Sequence, residues 1–192
     1  MGAIHGFAAV GVISRAPEGK SRVTDLSLLI LSEQADDGPA IERLYERTFG
    51  PGRFARTAYR LREVMEHRRE YSFTARIGTL LVGSVRLTPV LIGDTSALLL
   101  GPLTIEPPFR DRGIGRALIE ASLKAAREGG VKLVLLVGDE PYYGRMGFKK
   151  VPHKRVELPG PVDRDRVLIA ELVPGAFDGV EGSVRPDWSG ER

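Results

Sequence analysis

The sequence contains no cysteine. That excludes a disulfide scaffold, a Cys-ligated zinc site and a cysteine nucleophile. Asparagine is also absent, so the chain has no N-glycosylation acceptor. The three histidines, His5, His67 and His153, lie far apart and argue against a His-rich metal site, so no metal is expected. No uninterrupted apolar run reaches the ~18 residues of a membrane span, so no membrane partner is expected. Neither sign of charge dominates: 28 basic residues face 25 acidic ones, for a net +3 and a pI near 9.3. Such a balance suits a small anionic ligand and is slight for a dedicated nucleic-acid binder.

What is present is a globular composition. The 192 residues are 42% hydrophobic and 28% charged, enough for one domain with a core and some surplus. Arginine outnumbers lysine 22 to 6, a bias that hints at a GC-rich bacterial genome. The absence of cysteine fits a cytoplasmic location. Residues 1–24 read as a flexible N-terminal extension: Met1–Ile13 is mildly apolar but lacks a basic n-region and is broken by Gly2, Gly6 and Gly11. Residues 25–174 form the expected domain, and 175–192 a poorly ordered or draped tail with Trp188 as its anchor.

Within the domain, Leu26–Leu31 reads as a strand. Asp36 or Asp37 caps a helix with Pro39 in its first turn and an apolar stripe of Ile41, Leu44, Tyr45 and Phe49, stopped by Gly50-Pro51-Gly52. A second helix follows, apolar at Phe54, Ala58, Leu61, Val64 and Met65. Its other face carries Arg53, Arg56, Arg60, Arg62, Arg68 and Arg69. Tyr71–Ile77, Leu80–Ile92 and Ala97–Ile105 read as strands, with Gly93-Asp94 as a hairpin signal. A helix over Gly113–Glu128 ends at Gly129-Gly130, and Val131–Val137 has the continuous apolar run of a strand buried on both faces. A short helix from Glu140 to Met146 precedes strand fragments at Phe148–Val151 and Val167–Leu172. The fold class is mixed α/β.

Three stretches carry chemistry. Gly101-Pro102 interrupts an apolar strand and predicts a bulge or splay. A splayed strand offers unpaired backbone groups to an extended ligand with amides. Next, Arg110-Asp111-Arg112-Gly113-Ile114-Gly115-Arg116 follows a strand and opens a helix. Glycines there let backbone N–H groups approach a ligand, and a helix N-terminus with three arginines suits a diphosphate. It is not the dinucleotide fingerprint, whose third glycine position holds Leu118. Nor does Gly19-Lys20-Ser21 make a Walker loop, because Ser14 stands at its first glycine. Finally, Tyr142 and Tyr143 are adjacent on the short helix, so they face different ways, and a phenol of pKa ~10 can donate a proton to a thiolate or alkoxide.

Together these stretches resemble the GNAT superfamily of acetyl-CoA-dependent N-acetyltransferases. The family's [Arg/Gln]-x-x-Gly-x-[Gly/Ala] pattern reads Arg110-x-x-Gly113-x-Gly115, after Leu103-x-Ile105-x-Pro107. Its Tyr-x-x-x-Gly-Phe signature reads Tyr143-x-x-x-Gly147-Phe148. The Tyr-Tyr-Gly-Arg-x-Gly-Phe wording is similar to a bacterial subgroup of predicted acetyltransferases.

The resemblance implies a mostly antiparallel sheet, splayed at its central strand and flanked by helices. It implies acetyl-CoA as cosubstrate and an amine acceptor. Coenzyme A would contact Leu103, Thr104 and Ile105, then Arg110, Asp111, Arg112, Gly113, Ile114, Gly115 and Arg116. The Leu103 N–H would polarise the thioester, and Tyr143 would protonate the departing thiolate. Glu106 is a candidate base, with Glu63, His67 and Asp94 as further ones. A homodimer is expected by analogy with the fold.

Two rival readings stay open at this point. One is a non-catalytic acyl-CoA binding or sensing module on the same fold. The other is nucleic-acid binding through the arginine face of the second helix, which predicts a steep salt dependence.

Overall fold

Leu98, Leu100, Val134, Leu136 and Leu168 face one hydrophobic core, while their chain neighbours Leu99, Leu133, Leu135, Val167 and Ile169 face another. This period-two alternation is the mark of a sheet buried on both sides. The computed structural model describes residues 27–50, 61 and 64–189. Its elements, in chain order, are β1 (Leu28–Ser32), α1 (Gly38–Phe49), β2 (Phe73–Ile77), β3 (Leu80–Ile92), β4 (Thr95–Ile105) and α2 (Ile114–Glu128). Then come β5 (Leu133–Val137), α3 (Glu140–Tyr143), β6 (Lys149–Lys150), β7 (Val156–Glu157), β8 (Val167–Glu171) and β9 (Gly182–Pro186).

The fold is mixed α/β, with a mostly antiparallel nine-stranded sheet flanked by helices. The order is β1-β2-β3-β4-β5-β8-β6, and β9 pairs with both β3 and β7. Along the main path only β4 and β5 are parallel, because the α2 crossover returns the chain in the same direction. Leu118 and Ile119 of α2 are fully buried against the first core. On α1, Ile41, Leu44 and Tyr45 pack with Leu81 in a smaller cluster. Gly50 ends α1 with φ of 60°, a conformation glycine adopts without strain. Asp37 occupies the N-cap position of α1 without capping it by side chain. Its carboxylate instead accepts the Gln34 N–H at 2.9 Å and pairs with Arg76.

The expected second helix lies mostly outside the described residues, as do Arg53, Arg56, Arg60 and Arg62. Leu61 and Met65 are buried, whereas Val64 is exposed.

The C-terminal stretch is where the structure departs furthest from the sequence reading. Residues 182–186 form a strand, β9, on the edge of β3 that β2 leaves free, in register at Val90–Pro186, Leu91–Arg185 and Ile92–Val184. The anchor of this segment is Phe177, which is buried, and not Trp188, which is 51% exposed. The Arg155 guanidinium lies 4.5 Å from the Phe177 ring centre and donates to the carbonyls of Phe177 and Val180. The Phe177 N–H donates to Glu171 at 3.2 Å. Truncating a buried phenylalanine leaves a cavity that costs about 3 kcal/mol or more. Phe177→Ala is therefore expected to lower the urea midpoint by that equivalent. A shift worth under about 1 kcal/mol would show that the segment merely drapes over the domain.

Candidate active site

The central strands separate where the sequence places Gly101-Pro102. β4 pairs with β5 only at Leu98–Val134 and Leu99–Leu135, and beyond Leu99 the two strands part. On the other side, the β3–β4 register shifts between Val85–Leu103 and Leu87–Leu100, so Gly101-Pro102 bulges opposite Arg86. After the bulge the ladder resumes, and the Glu106 N–H donates to the Val82 carbonyl at 2.9 Å. Backbone groups alternate sides along a strand. Thr104 therefore also turns its backbone to β3, and Leu103 and Ile105 turn theirs to the open side. The Ile105 carbonyl accepts Arg110 Nε at 3.4 Å, as an oxygen outside the ladder can. The Thr104 side chain is buried, and its hydroxyl has no partner among the described residues.

The opening of α2 lies next to this gap. Asp111 has φ of 60° and Gly113 has φ of 78°. Both sit in the left-handed region, which turns the chain sharply into the helix. The first return bond of α2 runs from the Ala117 N–H to the Gly113 carbonyl, 3.0 Å. The amides of Ile114, Gly115 and Arg116 precede it and have no acceptor within the helix. A Cβ built on Gly113 would meet nothing within 4 Å, so this side of the turn is open space. The nearby arginines hold protein contacts: Arg116 pairs with Glu120 at 2.7 Å, and Arg112 lies 5.6 Å from the Phe109 ring centre.

α3 brings the two tyrosines to opposite sides of the gap. Asp139 at its N-cap accepts the N–H groups of both Tyr142 and Tyr143 through its carbonyl. The Tyr143 ring covers Gly138 at the end of β5 and stands edge-on to Phe148 at 6.0 Å. Tyr142 is turned about 90° from Tyr143, with ring centres 4.9 Å apart. Its hydroxyl reaches toward Gly115 at the start of α2, and burial of the ring pushes its pKa up.

Glu106 lies on the side of α1, where it pairs with Arg47: Arg47 Nε donates to Glu106 Oε1 at 2.7 Å. Asp94 is exposed at the tip of the β3–β4 hairpin and pairs with Arg185. Nine residue-to-residue steps along β4 separate it from Leu103, about 30 Å at ~3.3 Å per step. Asp94 is thus not brought to the gap. Glu63 lies outside the described residues.

His67 belongs to a network that the sequence reading did not assemble. Glu33 is buried at the end of β1 and accepts His67 Nε2 at 2.9 Å. It also takes a fork from Arg86, with NH2 at 2.7 Å from Oε1 and Nε at 3.0 Å from Oε2. Burial raises the Glu33 pKa, but hydrogen bonds and charge from His67 and Arg86 outweigh it and hold the carboxyl below its usual range. Burial likewise opposes the Arg86 charge. The hydrogen bond to Glu33 and the nearby Tyr45, Glu33 and Glu42 more than restore it. The available signal was Arg86 itself, a lone charge in the apolar run Leu80–Ile92.

Among the described residues no cluster of three or more metal-ligating side chains occurs, and no helix is long and apolar enough to cross a membrane. The sequence model of the acetyltransferase (GNAT) family matches residues 38–148. The chain belongs to this family. As a GNAT chain it is an acyltransferase, and the match spans the parted strands, the α2 turn and the tyrosines together.

An uncharacterized N-acetyltransferase of Escherichia coli K12, YhbS, is 28% identical over 159 residues, which is 82% of this chain and 95% of YhbS. The crystal structure of E. coli YhbS in complex with CoA superposes with a TM-score of 0.72 at 24% identity, covering 88% of this chain and 94% of that one. A GNAT family acetyltransferase from Brucella melitensis, in complex with acetyl-CoA, gives a TM-score of 0.63 at 25% identity, covering 84% and 96%.

Proposed function

We propose that this GNAT chain moves an acetyl group from acetyl-CoA to a primary amine by direct attack. The observation that carries the reading is the parting of β4 from β5 beyond Leu99, directly beside the α2 turn with its unshared amides. The CoA and acetyl-CoA complexes of the structural relatives support the same donor.

On this reading the amides from Arg112 to Arg116 hold the diphosphate, helped by the helix dipole and by the Arg110, Arg112 and Arg116 charges. Asp111, Gly113, Ile114 and Gly115 supply the turn that lets the phosphates approach. The pantetheine arm pairs with Leu103 and Ile105 as an added strand would. Thr104 contributes its place in the strand, with its own amide turned to β3. The Leu103 N–H points at the thioester oxygen and stabilises it as it becomes an oxyanion.

The reaction then needs two proton movements. The amine nitrogen, already deprotonated, attacks the carbonyl carbon, and the C–S bond breaks. Tyr143 gives its phenolic proton to the departing thiolate. The proton lost by the new amide nitrogen leaves through water, with Glu106 as the candidate base to receive it.

The test is calorimetry with acetyl-CoA, followed by thiol release against a library of primary amines. One-to-one binding and amine-dependent thiol release are expected. Binding with no release for any amine would favour a sensing module. No binding at all would remove the assignment.

A further inference from the structure

The Tyr142 hydroxyl lies against the first turn of α2 and has no part in the reaction above. A Cβ built on Gly115 would lie 2.5 Å from Tyr142 Oη and 3.7 Å from Leu103 Cδ2. Three elements thus meet at one point: the first turn of α2, the open edge of β4, and α3. The ring stands perpendicular to Tyr143, so one phenol covers Gly138 while the other crosses to α2.

Tyr142 is 40% exposed, which is high for a residue kept for packing. Its hydroxyl makes no hydrogen bond to the described residues. It stands beside Gly115, whose amide, like those of Ile114 and Arg116, lacks a helical acceptor. Neighbouring donors without an acceptor of their own suit a shared anion. With its pKa pushed up by burial, the phenol keeps its proton and remains a donor.

We infer that Tyr142 is a ligand of the diphosphate: its hydroxyl donates a hydrogen bond to the phosphate oxygens held by the α2 amides. The role differs from that of Tyr143, to which the proposed reaction assigns the thiolate's proton. The inference rests on the acetyl-CoA reading and narrows it, because it makes grip on the diphosphate depend on a side chain as well as on backbone.

The experiment compares coenzyme A, by calorimetry, with pantetheine, by competition, on the full chain. Tyr142→Phe keeps the ring and removes only the donor. It is expected to weaken coenzyme A about tenfold, as for a lost hydrogen bond to a charged group. Pantetheine, which has no diphosphate, should bind Tyr142→Phe and wild type alike. The thermal midpoint should not move.

Gly115→Ala offers an independent route. Its Cβ displaces the hydroxyl and should weaken coenzyme A to a similar degree. In the Tyr142→Phe background the same methyl would next meet Leu103 Cδ2 at 3.7 Å and the ring carbon Cζ at position 142 at 3.8 Å, ordinary contacts, and should add little further loss.

Tyr142→Phe binding coenzyme A within twofold of wild type would overturn the inference. So would equal losses for coenzyme A and pantetheine. Wild type that binds pantetheine but gains nothing from the diphosphate would overturn it too. Wild type that binds neither would overturn the acetyl-CoA reading itself.

Discussion

Tyr143→Phe is expected to lower kcat for acetyl transfer about a hundredfold, at the lower end of what a positioned general acid contributes. Affinity for coenzyme A should stay within about twofold. The argument begins with the leaving group. A thiolate of conjugate-acid pKa ~8.5 is protonated by a phenol of pKa ~10 only at a cost of about 2 kcal/mol in water. A thiolate can also depart unprotonated more readily than an alkoxide, which keeps the expected loss modest. The site can offset part of that cost by keeping water from the nascent thiolate.

Two of the ring's contacts are ones that phenylalanine keeps. It covers Gly138 and stands edge-on to Phe148 at 6.0 Å. Coenzyme A affinity therefore should hold, and the loss should fall on kcat. The measurement is a steady-state thiol-release assay with the best amine from the library, beside calorimetry of the same variant. Unchanged kcat would remove Tyr143 as the acid. Parallel losses in kcat and coenzyme A affinity would assign it to binding instead.

What could be read from the sequence is what depends on neighbours in the chain. Gly113 marks the α2 turn because the chain there takes a left-handed φ of 78° that favours glycine. Gly101-Pro102 marks the bulge because neither residue fits a regular ladder. The stripe Ile41, Leu44, Tyr45 places one face of α1 correctly, and the apolar run Leu133–Val137 gives the buried strand. Even the divergence of Tyr142 and Tyr143 follows from adjacency, although which one faces α2 required the fold.

The features that escaped depend on distant partners. β9 has the sequence Gly-Ser-Val-Arg-Pro, with little strand signal, and exists because β3 has a free edge some ninety residues earlier. Trp188 is the larger ring, yet Phe177 became the anchor because Arg155 and Glu171 meet it. Glu33 and Arg86 stand 53 residues apart, and nothing local to either announces the other.

That pair carries the largest expected effect on stability. Glu33→Ala is expected to destabilise the fold by about 3–5 kcal/mol, the range for removing one partner of a buried ion pair. The reason is less the loss of the bond than the charge left behind. The side chain of Arg86 is 14% exposed, and its remaining carboxylate partner, Glu42, is 53% exposed and makes a single 3.3 Å bond to it, against the fork that Glu33 provides. His67 would lose its contact as well. Replacing both members, as in Glu33→Ala with Arg86→Met, should recover much of the loss, because no unpaired charge is then buried.

The pH dependence follows from the direction of the Glu33 shift. Its folded pKa is held below the ordinary value of 4.5. The unfolded chain therefore takes up this proton first as pH falls, and acid favours unfolding. The contribution is complete above the unfolded value. It declines as pH drops below 4.5 and is exhausted once pH passes the lower folded value.

Urea unfolding of wild type and Glu33→Gln from pH 7 to pH 3 checks both parts. The wild-type curve should fall more steeply below pH 4.5 than that of Glu33→Gln, which has no carboxyl to titrate there. Parallel curves, or a Glu33→Ala loss under about 1 kcal/mol, would mean that solvent reaches Arg86 well enough to replace its partner.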